Sequence, residues 1–184
     1  MFLEDVLLDS FNTSLITSME YLFYKCSSLE SLDLSDFDTS LVTNMGHMFF
    51  NCSLLSKLDL SSFETPLVKN MEYMFSNCYI LESLNISNFN TTLVEDYSHM
   101  FDGCTNLLSI DLAGFVIDQA KDMQYMFYNC ENLGYINFEQ ANDTNIEQYY
   151  NIFAGTPENM VFCFDESNSK FLKQIENKQC SAVD

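Results

Sequence analysis

Thiols, imidazoles and carboxylates are the side chains of this chain that could carry chemistry. The 184 residues include seven cysteines, two histidines and 27 acidic residues, against seven basic ones. Five cysteines recur at intervals of 26 residues, whereas Cys163 and Cys180 lie outside the series. The regular series consists of Cys26, Cys52, Cys78, Cys104 and Cys130. Such regularity predicts a single file of thiols, in which each lies over its copy in the next repeat.

A single file of thiols is suited to packing rather than to bonding. Neighbouring repeats would place the sulfur atoms about 5 Å apart, but parallel side chains seldom reach the dihedral angle that a disulfide needs. Zinc needs ligands that converge tetrahedrally, which thiols in file beside leucines do not offer. We therefore predict a ladder of buried free thiols and no metal site.

Catalysis has little support in the sequence. A glycine-rich phosphate loop, a nucleophile elbow and the pairs His-x-x-x-His and Cys-x-x-Cys are all absent from it. The two histidines, His47 and His99, lie two repeats apart, so we do not expect them to act as a pair. The chain is predicted not to be an enzyme and to use no cofactor.

The interval of 26 residues also governs the apolar residues from Leu3 to about Thr156. Leu58 and Leu60 enclose Asp59, an alternation that is typical of a strand. A second apolar stripe predicts a short helix and consists of Val42, Met45, Met48, Phe49 and Cys52. A unit this small cannot bury its apolar face alone. We therefore predict a repeat solenoid of about six coils, each with one parallel β-strand and one short helix.

Two segments of the repeat resemble a known family. Residues 29–45 (LESLDLSDFDTSLVTNM) and 48–53 (MFFNCS) resemble the BspA-like leucine-rich-repeat surface proteins, in the branch with a 26-residue repeat. The resemblance covers about residues 3–156. It implies a right-handed leucine-rich-repeat solenoid, secreted or at the cell surface, that serves in adhesion or protein binding and has no catalytic residues.

The repeat register divides the chain into two parts. Residues 1–156 are predicted to form the solenoid, with an N-terminal edge like that of a fragment because Met1 falls inside a strand segment. Residues 157–184 are predicted to form a small α/β cap, with a strand at 160–164 and a helix at 167–178. A disulfide between Cys163 and Cys180 would staple this cap, and two buried thiols are the alternative.

The outward positions of the strands form the first candidate binding surface. One column, of aspartate and asparagine, consists of Asp33, Asp59, Asn85, Asp111 and Asn137. The column beside it consists of Ser31, Lys57, Ser83, Ser109 and Tyr135. In a leucine-rich repeat this face is the concave sheet, the usual binding surface. Stacked carboxylates repel one another, so a partner that supplies Lys, Arg or a cation would relieve them. A solvated polar ladder is the alternative.

A second column alternates tyrosine with histidine and lies on the predicted helix. Its members are Tyr21, His47, Tyr73, His99 and Tyr125. Five rings in file could stack into a stripe that binds a partner or a sugar. Aromatic packing between coils is the alternative.

Five Asn-x-Ser/Thr sequons make glycans possible partners of the chain. These N-glycosylation candidates are Asn12, Asn51, Asn85, Asn90 and Asn142. Asn12, Asn90 and Asn142 share one column, in a turn that we expect to be exposed. A glycan on Asn85 would block the strand face, and would favour a glycosylated rod over a binding surface.

Net charge and hydropathy limit the classes of partner that the chain can bind. The net charge of −20 repels phosphate backbones and anionic lipid, so we expect no nucleic acid and no anionic membrane surface as partner. No apolar run is long enough for a transmembrane segment. The partner is expected to be a protein with a basic or polar surface, or neighbouring copies of the chain.

Three functions agree with these features. The first is an extracellular or cell-surface module for adhesion or protein interaction. The second is a structural segment of a glycosylated extracellular fibre or coat. The third is an intracellular leucine-rich-repeat inhibitor, which requires reduced Cys163 and Cys180 and no glycans.

Overall fold

The computed structural model of the chain describes residues 11–138 and 143–164. Within these ranges it contains five β-strands: β1 Ser31–Leu32, β2 Lys57–Leu58, β3 Ser109–Asp111, β4 Tyr135–Phe138 and β5 Val161–Phe164. β1 pairs with β2, and β3, β4 and β5 form a second sheet in that order. Every pairing is parallel and joins residues one repeat apart. The predicted repeat solenoid is therefore confirmed.

The strand side of the solenoid is interrupted in the third coil. Residues 81–86 include no assigned strand, so β2 and β3 belong to different sheets. The alternation of burial nevertheless persists there: Leu84 and Ile86 are buried, whereas Ser83 and Asn85 are exposed. Buried side chains and the hydrogen bond that the amide of Leu108 donates to the carbonyl of Glu82, at 3.0 Å, still connect this coil to the next one on the strand side.

The short helix that the sequence predicts in each coil is wrong. No α-helix is present in residues 11–138 and 143–164, and residues 46–51 form consecutive turns. The amides of Met45, His47 and Phe49 donate to carbonyls of the next coil, at 2.8–3.0 Å. The amide of Met48 instead donates back to the carbonyl of Met45. Hydrogen bonds to the next coil therefore alternate along the segment with hydrogen bonds inside the coil. In an α-helix every amide donates to the carbonyl four residues earlier, so a helix cannot provide this pattern.

The turns owe their shape to two columns of residues with positive φ. One column is Tyr21, His47, Tyr73, His99, Tyr125 and Asn151, and the other is Lys25, Asn51, Asn77, Gly103, Asn129 and Gly155. A left-handed residue ends a helix, and for a residue with a Cβ it costs about 1–2 kcal/mol. These turns retain the apolar spacing of a short helix, which is why the sequence pattern predicts a helix.

We call residues 44–51 and their equivalents at steps of 26 the turn segment. Isolated parallel bridges join the turn segments of all six described coils, in the order Ser18, Asn44, Asn70, Asp96, Asp122 and Gln148. Behind this ladder lies a continuous buried stack of phenylalanine rings, with centroids 5.3–5.9 Å apart: Phe23, Phe49, Phe75, Phe101, Phe127 and Phe153. This column of the core is thus built of identical side chains stacked coil on coil.

The strand pairing keeps its step of 26 residues across the predicted boundary between solenoid and cap. β5 lies in the predicted cap, yet it pairs with β4 so that Phe162 opposes Ile136 and Cys163 opposes Asn137. The division at residues 156 and 157 remains a prediction. The predicted cap helix at 167–178 and the predicted N-terminal edge, residues 1–10, lie outside the described residues.

Candidate interaction surfaces

The structure brings the two predicted strand columns onto one exposed face. In β3 and β4, Ser109 lies beside Tyr135 and Asp111 beside Asn137. Asp33 and Asp59 are exposed on the preceding coils, and so are the other members of both columns except Asn137, which is half-buried. We call these ten residues the strand face.

The carboxylates of the strand face are already engaged with their own backbone. Oδ1 of Asp33 accepts a hydrogen bond from the amide of Ser35, and Oδ1 of Asp59 accepts one from Ser61, both at 2.9 Å. These bonds hold the pKa of both carboxyls below its ordinary value. Asp111 makes the same contact to Ala113 at 3.1 Å. Asp33, Asp59 and Asp111 therefore fix the turn that follows each of these strands, and all three residues are exposed.

The same turn chemistry explains three of the five sequons. Oδ1 of Asn12, Asn85 and Asn90 accepts a bond from the hydroxyl two residues on, at 2.7–2.8 Å. Asp38 makes this bond to Ser40 at 2.6 Å, although Asp-x-Ser is no sequon. An Asn-x-Ser/Thr sequence therefore suits this turn for structural reasons alone. The presence of these sequons is for that reason weak evidence for N-glycosylation.

The other two sequons are placed differently. Asn51 has a φ of 57°, stands half-buried in a turn segment and precedes the buried Cys52. Asn142 lies outside the described residues. The three exposed sequon asparagines, Asn12, Asn85 and Asn90, are therefore the accessible glycan candidates of the described residues.

The regular cysteines are free thiols that pack in file. Cys26 is half-buried, and the other four are buried. The thiols of Cys52, Cys78, Cys104 and Cys130 each donate to a phenylalanine carbonyl of the preceding coil, at 3.1–3.3 Å. Burial raises the pKa of Cys52 to about 12 and the pKa of Cys78 well above its ordinary value. These thiols are therefore structural groups rather than nucleophiles.

The predicted staple of the cap remains a prediction. Cys163 belongs to β5 and occupies the outward column of the strand face, one coil beyond Asn137. Cys180 lies outside the described residues, and so does the proposed bond between Cys163 and Cys180.

The alternating tyrosines and histidines form a continuous stack, which we call the ring stripe. Its members are Tyr21, His47, Tyr73, His99 and Tyr125. Successive centroids are 4.2–4.8 Å apart, and the planes differ by 7–14°. Both faces of His47, Tyr73 and His99 are consequently covered by neighbouring rings. A sugar needs an open ring face, so these three rings cannot act as a sugar platform.

Carboxylates lie beside the histidines of the ring stripe. Nδ1 of His99 is 2.8 Å from Oδ2 of Asp102, and Nε2 of His47 is 3.8 Å from Oε1 of Glu72. Burial lowers the pKa of His47, against the opposing effects of Glu72 and Glu20. Nδ1 of His47 is buried and has no hydrogen-bond partner among the described residues.

Sequence reasoning missed a column of buried threonines that joins the coils. Its members are Thr13, Thr39, Thr65 and Thr91. Oγ1 of Thr39 accepts the amide of Glu64 at 2.9 Å and donates to the carbonyl of the same residue at 2.5 Å. The threonines recur at 26 residues like every other column, so the repeat itself carried the signal.

A second missed column caps the turn segments. Side-chain oxygens of Asn44, Asn70, Asp96 and Asp122 each accept the amide two residues on, at 2.8–2.9 Å. These bonds start each left-handed turn. Polar residues at fixed steps were visible in the sequence, but their role depends on the turn geometry.

Residues 11–138 and 143–164 contain no cluster of three or more potential metal ligands. No helix in the same ranges is long and apolar enough to cross a membrane.

Comparison with known proteins gives one family and two similar structures. A family model described as "Mycoplasma protein of unknown function, DUF285" matches residues 2–83 and 58–161. A leucine-rich-repeat protein of T. pallidum is 16% identical, with a TM-score of 0.45 over 89% of this chain and 77% of that one. One from Bacteroides ovatus is 16% identical, with a TM-score of 0.34 over 85% of this chain and 62% of that one. No curated protein matches the chain.

Proposed function

This chain belongs to the family described as "Mycoplasma protein of unknown function, DUF285", and we propose that it is a non-catalytic protein-interaction module outside the cell. Its proposed role is adhesion, and its partner is a protein with a basic surface. The resemblance of residues 29–45 and 48–53 to BspA-like surface proteins supports this location and role.

The observation that carries the proposal is the rigid, exposed strand face. Asp33, Asp59 and Asp111 are each oriented by a hydrogen bond that one carboxylate oxygen accepts from a backbone amide. An ordered carboxylate loses little side-chain entropy when it pairs with a partner's lysine or arginine. The net charge of −20 adds long-range attraction for such a partner.

The later coils change the character of the same face. Tyr135 and Val161 are about two-fifths exposed, at 38% and 41%, and occupy the column of Ser31 and Lys57. Tyrosine is one of the usual anchors of protein interfaces, and Val161 adds apolar surface beside it. A partner that is basic at one end and apolar at the other therefore fits the face best.

Charge reversal tests the strand face. The intact chain is titrated against immobilised extracellular-matrix proteins by biolayer interferometry. Asp59→Lys with Asp111→Lys is expected to weaken binding by about tenfold or more. Asp36→Lys with Glu131→Lys changes the same charge at exposed positions outside the face and serves as the control. Equal losses in both variants, or no binding of any matrix protein, would contradict the proposal.

Location and alternatives are tested on the natively sourced chain. Intact mass before and after a glycosidase and a reductant would reveal hexose and the two hydrogens gained by a reduced disulfide. Hexose or a disulfide agrees with a position outside the cell. A mass equal to that of the unmodified chain, with every thiol free, favours the intracellular inhibitor. Long filaments in electron micrographs favour the structural fibre.

A further inference from the structure

The backbone of the ring stripe does not require aromatic residues. All five of its members have φ between 52° and 60°, a region that bulky side chains rarely adopt. Four residues further on, the same conformation is held mainly by asparagine and glycine. Asn151 occupies the ring column itself in the sixth coil, also at positive φ. Asparagine would therefore serve the turn, and the rings need another explanation.

The buried core does not supply that explanation. A second stack, the phenylalanine column, already fills the interior behind the turn segments. The rings of the stripe reach solvent instead: Tyr21 is 49% exposed, and the other four are half-buried. Because the faces are stacked, the stripe presents ring edges and hydroxyl groups. The hydroxyls of Tyr21, Tyr73 and Tyr125 form no hydrogen bond with any of residues 11–138 and 143–164.

The carboxylates of Glu72 and Asp102 lie beside the histidines of the stripe, His47 and His99. Glu20 and Glu72 precede Tyr21 and Tyr73 in the chain, and Asp102 follows His99. Burial and the charges of Asp102 and Glu72 raise the pKa of the Tyr73 hydroxyl, so this hydroxyl stays protonated beside the carboxylates. Hydroxyl and carboxylate oxygens thus offer acceptors side by side.

A cation already lies against this surface within the chain. Nζ of Lys25 lies 4.9 Å from the centroid of the Tyr24 ring, next to Tyr21. Tyr24 and Phe50 form a second, shorter ring stack beside the stripe, with centroids 5.0 Å apart. The surface therefore accommodates a basic side chain against aromatic rings.

We propose that the ring stripe, with Glu72 and Asp102, binds a basic extended segment of a partner protein through arginine side chains. A guanidinium group carries a planar fork of donors, which matches a carboxylate with a hydroxyl beside it. Glu72 lies beside His47 and Asp102 beside His99, and these two rings are two coil steps, about 10 Å, apart. Side chains on one face of an extended segment recur at about 7 Å, and the length of the arginine side chain covers the remaining distance. This surface is separate from the strand face.

A labelled peptide tests the proposal on the whole chain. The probe is a nine-residue peptide with arginine at three alternate positions, and its control carries citrulline, the neutral isostere, at the same three. Fluorescence anisotropy should show binding of the arginine peptide about tenfold tighter than that of the citrulline peptide. Glu72→Gln with Asp102→Asn should weaken it about tenfold, and Tyr73→Phe, which keeps the stacking, by severalfold.

The decisive control removes the same charge elsewhere. Asp36→Asn with Glu131→Gln neutralises two exposed acids outside both surfaces and should leave affinity within about twofold. Equal weakening by both double variants would reduce the interaction to general electrostatics and overturn the proposal. Equal affinity for the two peptides would overturn it too. Neither result bears on the strand face, whose test uses other residues.

Discussion

The strand side and the turn side of each coil connect neighbouring coils in different ways. On the strand side the hydrogen-bonded strands form two separate sheets, with no strand assigned at residues 81–86. On the turn side the bridges run unbroken from Ser18 to Gln148. The residues with the clearest strand pattern thus form the interrupted ladder, and those that resemble a helix form the continuous one. The unbroken series of backbone bridges between the coils of this solenoid therefore lies in its turn segments.

The largest expected effect comes from a cavity in the turn side. Phe75 is fully buried in the phenylalanine stack between Phe49 and Phe101. Phe75→Ala should lower the free energy of unfolding by about 3–5 kcal/mol in urea denaturation. Leu84→Ala, at the strand gap, should cost less, about 2–3 kcal/mol, because that site is more open. A larger loss at Leu84 would reverse the comparison.

The next effect concerns the threonine column. Thr39→Val keeps the shape but leaves the amide and carbonyl of Glu64 without the hydroxyl that both contact. An unsatisfied buried polar group costs about 1–3 kcal/mol, which urea denaturation would detect. Ser40→Ala removes a hydroxyl that bonds to exposed Asp38 and is the matched control, with little expected change. Equal stability of the two variants would show that the threonines do not tie the coils.

Much of this architecture was predictable from the sequence. The step of 26 residues alone places Phe75, Cys78 and their copies in stacked buried columns. Helix and consecutive turns were not distinguishable, because Val42, Met45 and Met48 face inward in both. The difference lies in whether the amide of Met45 bonds within its coil or to Asn70, which depends on the neighbouring coil.

The sequence predicts which residues of the candidate surfaces lie in one column, but not the hydrogen bonds that these residues make. The strand alternation predicts that Asp33 points outward, whereas its hydrogen bond to Ser35 depends on the turn that follows the strand. The positive φ of Tyr73 is invisible in residue type, since tyrosine rarely adopts it. The column of Asn51, Asn77 and Gly103 carried a readable signal of left-handed turns, because asparagine and glycine favour that conformation.

Two glycines, one in a turn segment and one on the strand side, allow the backbone strain of the two sides to be compared. Gly103 has a φ of 74°, and a Cβ there would lie 2.5 Å from Oδ1 of Asn77. Gly103→Ala should therefore cost about 1–2 kcal/mol in urea denaturation. On the strand side, a Cβ at Gly134 would meet the carbonyl oxygen of Leu108 at an ordinary 3.6 Å. Gly134→Ala should be nearly neutral, and an equal cost at both glycines would contradict the left-handed turn.

The smallest expected effect is a pH dependence of the turn side between pH 7.5 and 5.5, above the range in which the lowered pKa values of Asp33 and Asp59 affect stability. Burial lowers the pKa of His47 from its ordinary value of 6.5, so the unfolded chain binds this proton more readily than the folded one. The corresponding stability is complete above pH 6.5 and is lost as the pH falls from there through the lowered pKa of the folded state. The urea midpoint of the wild-type chain should therefore fall between pH 7.5 and 5.5.

His47→Phe isolates this contribution because it preserves the stack with Tyr21 and Tyr73 and removes the titrating ring. Its urea midpoint should fall less over the same pH interval. His47→Gln, which cannot stack as a ring, separates the loss of titration from the loss of packing: it should share the flatter pH profile but be less stable at every pH. If the wild-type chain and His47→Phe lose stability in parallel, the acid sensitivity arises elsewhere, and the half-buried imidazole is only a packing element of the ring stripe.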